Sequence, residues 1–254
     1  MPRRGGHPVF NPVDFRSYLA GRRGVRPSDL AVPEDIIFTY DVGTFREAVA
    51  KTAATPVGWY IYHDRMYRGT RNGRQIGVVH AMVGAPAAAM NLEELIAYGG
   101  RRIFEVGLSG AIDAELVPGD IVVLNGAISD EGLSKHYFRS RSRFAASRGL
   151  LHEITASLRK HGLEHSLGEA WTTDAPYRET TAKVSSFRKK RARVVNMESA
   201  AVFAIAEYRG VEAASVQIVS DVVSEKGWNP AFHKDIVEKR RDEVLASVLQ
   251  AITG

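Results

Sequence analysis

Short, mainly apolar strand cores without regular polar alternation recur along this chain: Ile36–Phe38, Ile103–Val106, Ile121–Leu124, Gly168–Trp171, Val194–Met197 and Ala214–Val219. A strand that alternates apolar with polar residues has one face in water. A strand without alternation is covered on both faces, as in sheets packed between helix layers. Helical patterns fall between these runs, at Thr44–Thr52, Ala87–Tyr98, Ser199–Tyr208 and Lys234–Ile252. In the last of them Ile236, Val237, Val244, Leu245, Val248, Leu249 and Ile252 form one apolar face. A hairpin is predicted from Tyr60–Arg68 and Gln75–Met82 around Asn72-Gly73, a dipeptide that accepts the positive φ of a tight turn. Gly84-Ala85-Pro86, Gly99-Gly100 and Pro118-Gly119-Asp120 punctuate the pattern. The reading is a three-layer α/β/α fold around a central mixed sheet. Residues 1–33, rich in proline, glycine and arginine, read as an irregular arm, and residues 34–254 as a single domain without linker or repeat.

Composition removes several classes of chemistry. There are 254 residues, enough for a substantial core, and 44% are hydrophobic against 25% charged, an ordinary globular balance. No cysteine is present, which excludes disulfides, thiolate zinc sites and cysteine nucleophiles. The eight histidines show no ligand spacing, so no metal is expected. The formal charge of +5 and the run Arg188–Arg193 invite a nucleic-acid reading. Without aromatic interleaving, such a run reads as a solvated loop or helix end, and no nucleic-acid partner is expected. No apolar stretch approaches bilayer length, and Met1–Pro8 is basic with no apolar segment after it. A soluble cytoplasmic protein, with no membrane partner, is the expectation.

In sheets of this kind ligands collect beyond the carboxyl ends of the strands. That rule selects Glu105–Gly110, Thr172–Tyr177, Asn196–Glu198 and Ser220-Asp221. Glu198 is either a carboxylate favoured by the start of a helix or an acceptor for two sugar hydroxyls. Asp221 is either a turn residue or a general acid for a leaving nitrogen. Spacing alone leaves both pairs of readings standing. Gly107-Leu108-Ser109-Gly110 completes no dinucleotide fingerprint, and Ser109 sits in no nucleophile elbow.

Five segments, in order, resemble the hexameric purine nucleoside phosphorylase and uridine phosphorylase family: the Gly84-Ala85-Pro86 turn, FEVGLSGAI from Phe104 followed by PGDIVV, ISDEGLSKHY from Ile128, WTTDAPYRET from Trp171, and NMESAAVFAIA followed by QIVSD. The resemblance spans Ile36 to the C-terminus. It implies a partly barrel-like sheet and cleavage of the bond between a ribose and a heterocyclic base, purine-like in preference to uracil. By the same resemblance Glu198 binds the ribose hydroxyls and Met197 lies under the sugar. Asp221 protonates the departing base. Ser109, Gly110 and Asn196 belong to the base site, as does Tyr177, although a strict alignment sets Pro176 on the stacking position. A homo-oligomer, a dimer or a trimer of dimers, is implied, in which a neighbouring subunit completes each site. No organic cofactor is implied, and phosphate enters only as a co-substrate.

The chain departs from that family at the phosphate site. Thr39–Phe45 stands where a Gly-Asp-Pro turn is usual, with Arg46 one residue from the expected arginine. Glu105 replaces an arginine and Leu108 a hydroxyl residue. An ionised carboxylate facing a phosphate dianion costs on the order of several kcal/mol at short range. Hydrolysis is therefore expected, with Glu105 orienting or deprotonating the attacking water. The alternatives are phosphorolysis, with Arg46, Arg65, Arg68 or a second subunit rebuilding the anion site, and a non-catalytic binder of small molecules. His80 and His136 read as structural, and Trp59, Trp171 and Trp228 as core or lid aromatics. Residues 224–232 read as a flap beside Asp221.

Overall fold

A computed structural model describes residues 8–60 and 64–254 of the chain. The first half contains α1 (Pro12–Arg23), β1 (Asp35–Thr39), α2 (Val42–Lys51), β2 (Thr55–Pro56), β3 (Met66–Arg71) and β4 (Arg74–His80). It continues through α3 (Ala85–Ala97), β5 (Arg102–Ala111), β6 (Ile121–Ser129) and the short α4 (Ser134–Tyr137). The second half runs β7 (Arg143–Ala145), α5 (Arg148–Lys160), β8 (Ser166–Thr172), α6 (Thr181–Lys189) and β9 (Ala192–Asn196). It ends with α7 (Ser199–Arg209), β10 (Glu212–Ser224), β11 (Gly227–Pro230) and α8 (Asp235–Thr253).

All of these strands join one mixed sheet. Five of them close a ring in the order β10, β6, β8, β9, β5, because β5 and β10 also pair in parallel from Arg102↔Glu212 to Ala111↔Val222. From β5 a wing continues through β1, β4, β3 and β2, and β11 hangs from β10. The expected α/β architecture with a partly barrel-like sheet is thus present. The period of two in a strand explains the two helix layers. Ile36 and Phe38 of β1 point into the core shared with α3 and α7. Ile37 points the other way, with Phe104 and Val106, into the core under α8, where Val244, Leu245, Val248, Leu249 and Ile252 pack as expected.

Three local expectations are corrected. Residues 12–23 are helical, not irregular. Pro12 occupies the first turn, where its missing N–H costs nothing, and the Asp14 carboxylate accepts the Asn11 N–H at 2.7 Å. The hairpin keeps its turn at Asn72 and Gly73, both at positive φ, but its first strand begins at Met66. Residues 61–63 of that predicted strand, like 1–7 of the predicted arm, lie outside the described residues. Residues 224–230 are not a loose flap: β10 runs on to Ser224 and turns back as β11, pairing Asp221↔Pro230 through Ser224↔Gly227. Helices α5 and α6 have no counterpart in the sequence reading. No helix among the described residues is long and apolar enough to cross a membrane.

Candidate active site

Strand β9 ends at Asn196, and the chain turns through Met197 and Glu198 into α7. Glu198 is buried, and two backbone donors hold its carboxylate: the Gly84 N–H reaches Oε1 at 2.8 Å and the Met197 N–H reaches Oε2 at 3.1 Å. Gly84 sits at φ 98°, ψ 144°, a conformation nearly closed to other residues, and it is this backbone that aims its N–H at Glu198. Burial pushes the Glu198 carboxyl up to about 7, a rise that the Gly84 and Met197 donors oppose and the nearby Glu105 charge reinforces. Met197 beside it is half-buried.

Glu105 is 0% exposed. The Tyr40 hydroxyl donates to its Oε1 at 2.8 Å and the Ser199 hydroxyl to its Oε2 at 2.6 Å. Burial raises its pKa against the pull of hydrogen bonds from Ser199, Ser215 and Tyr40. The Tyr40 phenol is in turn raised well above its ordinary value by burial and by the charges of Glu105 and Glu198. Ser199 also accepts from the Asn196 amide at 2.6 Å, and the Asn196 carbonyl oxygen accepts from the Thr172 hydroxyl at 2.9 Å. Glu105 is thus turned into a network in which each of its oxygens accepts from a hydroxyl.

Asp221 lies near the carboxyl end of the parallel β5–β10 ladder, paired with Gly110 just past a bulge at Ser220. It is 6% exposed; its Oδ1 accepts from the Ser220 hydroxyl and its Oδ2 from the Trp228 indole N–H, each at 2.8 Å. Gly110 leaves room for that carboxylate: a Cβ there would stand 3.0 Å from Asp221 Oδ2 and 2.9 Å from Val223 Cγ2, so a side chain at 110 would push on both. Gly110 pairs with Val195 of β9 on its other side, so Asp221 and the β9 end carrying Glu198 flank one strand, about 10 Å apart at two strand spacings. Ser109 is buried, and its hydroxyl has no hydrogen-bond partner. Glu179, just before α6, is pushed up to about 7 by burial and by the charge of Asp221, with Lys183 acting the other way.

Glu198, Met197, Ser109, Gly110 and Asp221 thus gather at the carboxyl ends of β5, β9 and β10. Two other predicted site residues stand differently. Tyr177 is 100% exposed on a single 3-10 turn, outside this cluster. Asn196 supports Ser199 and Thr172 from behind, its amide spent on that framework. Tyr40, Ser199, Thr172 and Trp228 join the polar groups of the site. Of the arginines proposed to rebuild an anion site, Arg46 is exposed and Arg68 donates to the Ala31 carbonyl. Arg65 reaches the His80 carbonyl at 3.5 Å, and the His80 ring meets the Tyr40 carbonyl oxygen at 3.2 Å. His80 otherwise stacks on Phe45, and His136 is exposed. Among the described residues no group of three or more His, Asp or Glu side chains is arranged to hold a metal ion. In the basic run Arg188 pairs with Glu225 and Arg193 with Asp113.

The fold is that of an α/β protein with buried carboxylates held at two separate points near the strand ends, Glu198 and Asp221. A sequence model of the phosphorylase superfamily matches residues 35–253, and the chain belongs to that family. The guanosine phosphorylase of Halorubrum lacusprofundi is 26% identical over 194 residues, covering 75% of this chain and 80% of its own. The DeoD-type purine nucleoside phosphorylase of Shewanella denitrificans is 29% identical over 157 residues, 61% of this chain and 66% of its own. Among solved structures, the purine nucleoside phosphorylase of Toxoplasma gondii superposes with a TM-score of 0.80 at 18% identity, covering 99% of this chain and 98% of its own. The uridine phosphorylase of Vibrio fischeri does so at 0.75 and 23% identity, covering 87% and 90%.

Proposed function

We propose that this chain cleaves the N-glycosidic bond of a nucleoside with a purine-like base. The observation that carries the reading is the Glu198 carboxylate, fixed by two backbone donors one strand away from Asp221. A buried carboxylate so held offers its remaining lone pairs to a pair of adjacent hydroxyls, which suits the 2′ and 3′ positions of a ribose. As the C1′–N bond lengthens, positive charge grows on the sugar and negative charge on the base. Glu198 anchors the first, and Asp221, which takes up a proton from solvent as the base enters, shares that proton with a ring nitrogen and so neutralises the second. The unpartnered Ser109 hydroxyl supplies one further polar contact in the same cup.

Two nucleophiles complete the reaction, and a separate observation favours each. Phosphate is favoured by the names of the relatives and by Arg65 beside His80 and Tyr40. Water is favoured by Leu108 and Glu105, which stand where the resembling phosphorylases carry a hydroxyl and an arginine. Since Glu105 is sealed, the group presented to a bound water is the Tyr40 hydroxyl, with Glu105 behind it as proton acceptor.

The test is a panel of purine and pyrimidine nucleosides incubated with and without phosphate, with base and sugar separated by chromatography. Base release that requires phosphate and yields ribose 1-phosphate assigns phosphorolysis. Release without phosphate, yielding free ribose, assigns hydrolysis. A panel that yields no base under either condition overturns the proposal. A homo-oligomer, dimer or trimer of dimers, belongs to the same reading, and light scattering of the purified chain measures it directly.

A further inference from the structure

Trp228 is an anomaly by burial. It is a large aromatic, 62% exposed, on the outer edge strand β11, yet its indole nitrogen bonds the Asp221 carboxylate, which is 6% exposed. An exposed group and a buried one are joined. Asp221 is fixed by Ser220 at Oδ1, by the β10 backbone and by its seat against Gly110. Trp228 is held by its cross-strand place opposite Val223 and by the ring of Phe232 at 6.2 Å.

We propose that Trp228 is the positioning residue of Asp221, a latch that pins Oδ2 while the site is empty and yields that oxygen to the base when a nucleoside enters. The inference rests on the role given above to Asp221, and deepens it.

The chemistry of the indole supports this. Its N–H is a donor only, so it engages an oxygen lone pair and cannot take a proton in return. With Ser220 on Oδ1 and Trp228 on Oδ2, both carboxylate oxygens act as acceptors in the empty site. A base nitrogen that is to share a proton with Asp221 needs one of those oxygens. Ser220 is buried and in the same strand as Asp221, whereas Trp228 is exposed and on an edge. The exposed partner is the one that can leave without opening the core. Until it leaves, it also keeps a buried carboxylate oxygen from standing unpaired, a state that costs more than an ordinary lost hydrogen bond.

The experiment has one arm that needs no turnover. Iodide quenching of tryptophan emission is measured for the wild type and for Trp228→Phe, and the difference isolates Trp228 from the other two tryptophans. Each measurement is repeated in the Asp221→Ala background and with saturating hypoxanthine. Trp228 is expected to become about twofold more quenchable when Asp221 is removed, and by a similar amount when hypoxanthine occupies the wild-type site, because both free the indole from the same oxygen. Quenching that ignores Asp221→Ala overturns the latch. The second arm is kinetic. Trp228→Phe keeps the ring but loses the donor. Because the indole has left Oδ2 once the base is bound, the variant is expected to keep kcat within about twofold and to lower KM for purine nucleosides about 3- to 10-fold, since no latch is displaced on binding. In the Asp221→Ala background the same substitution is expected to leave hypoxanthine affinity within about twofold, and Trp228→His, which restores a donor, to bring KM back toward the wild type. An unaltered KM in Trp228→Phe, or an equal change in both backgrounds, overturns the positioning role. If no nucleoside is cleaved, the proposed reaction falls while the quenching arm still reads the latch.

Discussion

In the proposed reaction Glu198 carries two demands that pull against each other. Its burial favours the protonated carboxyl, while a sugar diol is gripped best by the ionised one. With the group raised to about 7, Glu198→Gln removes the buried charge but keeps the shape. The variant is expected to unfold at a higher temperature than the wild type at pH 8, and to lose about 10- to 100-fold in nucleoside affinity, the range for a hydrogen bond to a charged group. Calorimetry and ligand titration read the two effects separately, and a Gln variant that binds as tightly as wild type removes Glu198 from the sugar site. Tyr40→Phe takes the donor from a sealed carboxylate oxygen and is expected to cost about 1–3 kcal/mol in denaturant unfolding. At this scale the sequence was legible where an acidic side chain stands at a strand end, as for the buried Glu198 and Asp221. It was silent where a common side chain joins the same hydrogen-bond network. Tyr40, Ser199 and Thr172 carry hydroxyls of the kind found throughout any protein, and only the folded chain draws them together. Tyr177 failed for the converse reason, since a residue's place in a motif does not fix which way a 3-10 turn presents it.

The elements that set the site are turns more than strands. Gly84 holds a backbone conformation that alanine enters only under strain, although a Cβ there would meet nothing within 4 Å. Gly84→Ala is thus a test of backbone alone, with an expected loss of about 1–3 kcal/mol and a weakened sugar grip, because the N–H that orients Glu198 Oε1 turns away. Equal nucleoside affinity in that variant and the wild type separates the turn from the site. Strand cores were readable here because burial on two faces leaves short, mainly apolar segments, and the last helix because its apolar residues recur at helical spacing. Helix α1 was hidden by its own proline, glycine and arginine content, which resembles a loop until Pro12 and Asp14 are recognised as first-turn residues. The β10–β11 hairpin was hidden because strand β11 is exposed at all four positions and shows no apolar pattern.

Across the whole molecule three carboxyl groups, Glu94, Glu179 and Glu198, are raised to about 7, in each case chiefly by burial. In the unfolded chain they release their protons near the ordinary 4.5, so between that pH and 7 only the folded chain still holds them. Their contribution to stability is complete below the lower value, declines as pH rises through the interval and is gone above the upper one. A melting temperature about 2–5 °C higher at pH 5.5 than at pH 8 is expected, with Glu198→Gln flattening part of the slope. A curve that rises across this interval contradicts the assignment. The ring of five strands has a consequence of another kind. Its seam joins Arg102 to Glu212, segments far apart in the order of synthesis. A nascent chain that has left the ribosome only as far as α7 holds Glu105 and Glu198 but has no Asp221 to set beside Gly110. Under the proposed reaction, competence to bind a nucleoside then waits on the tenth strand, whose pairing with β5 closes the ring.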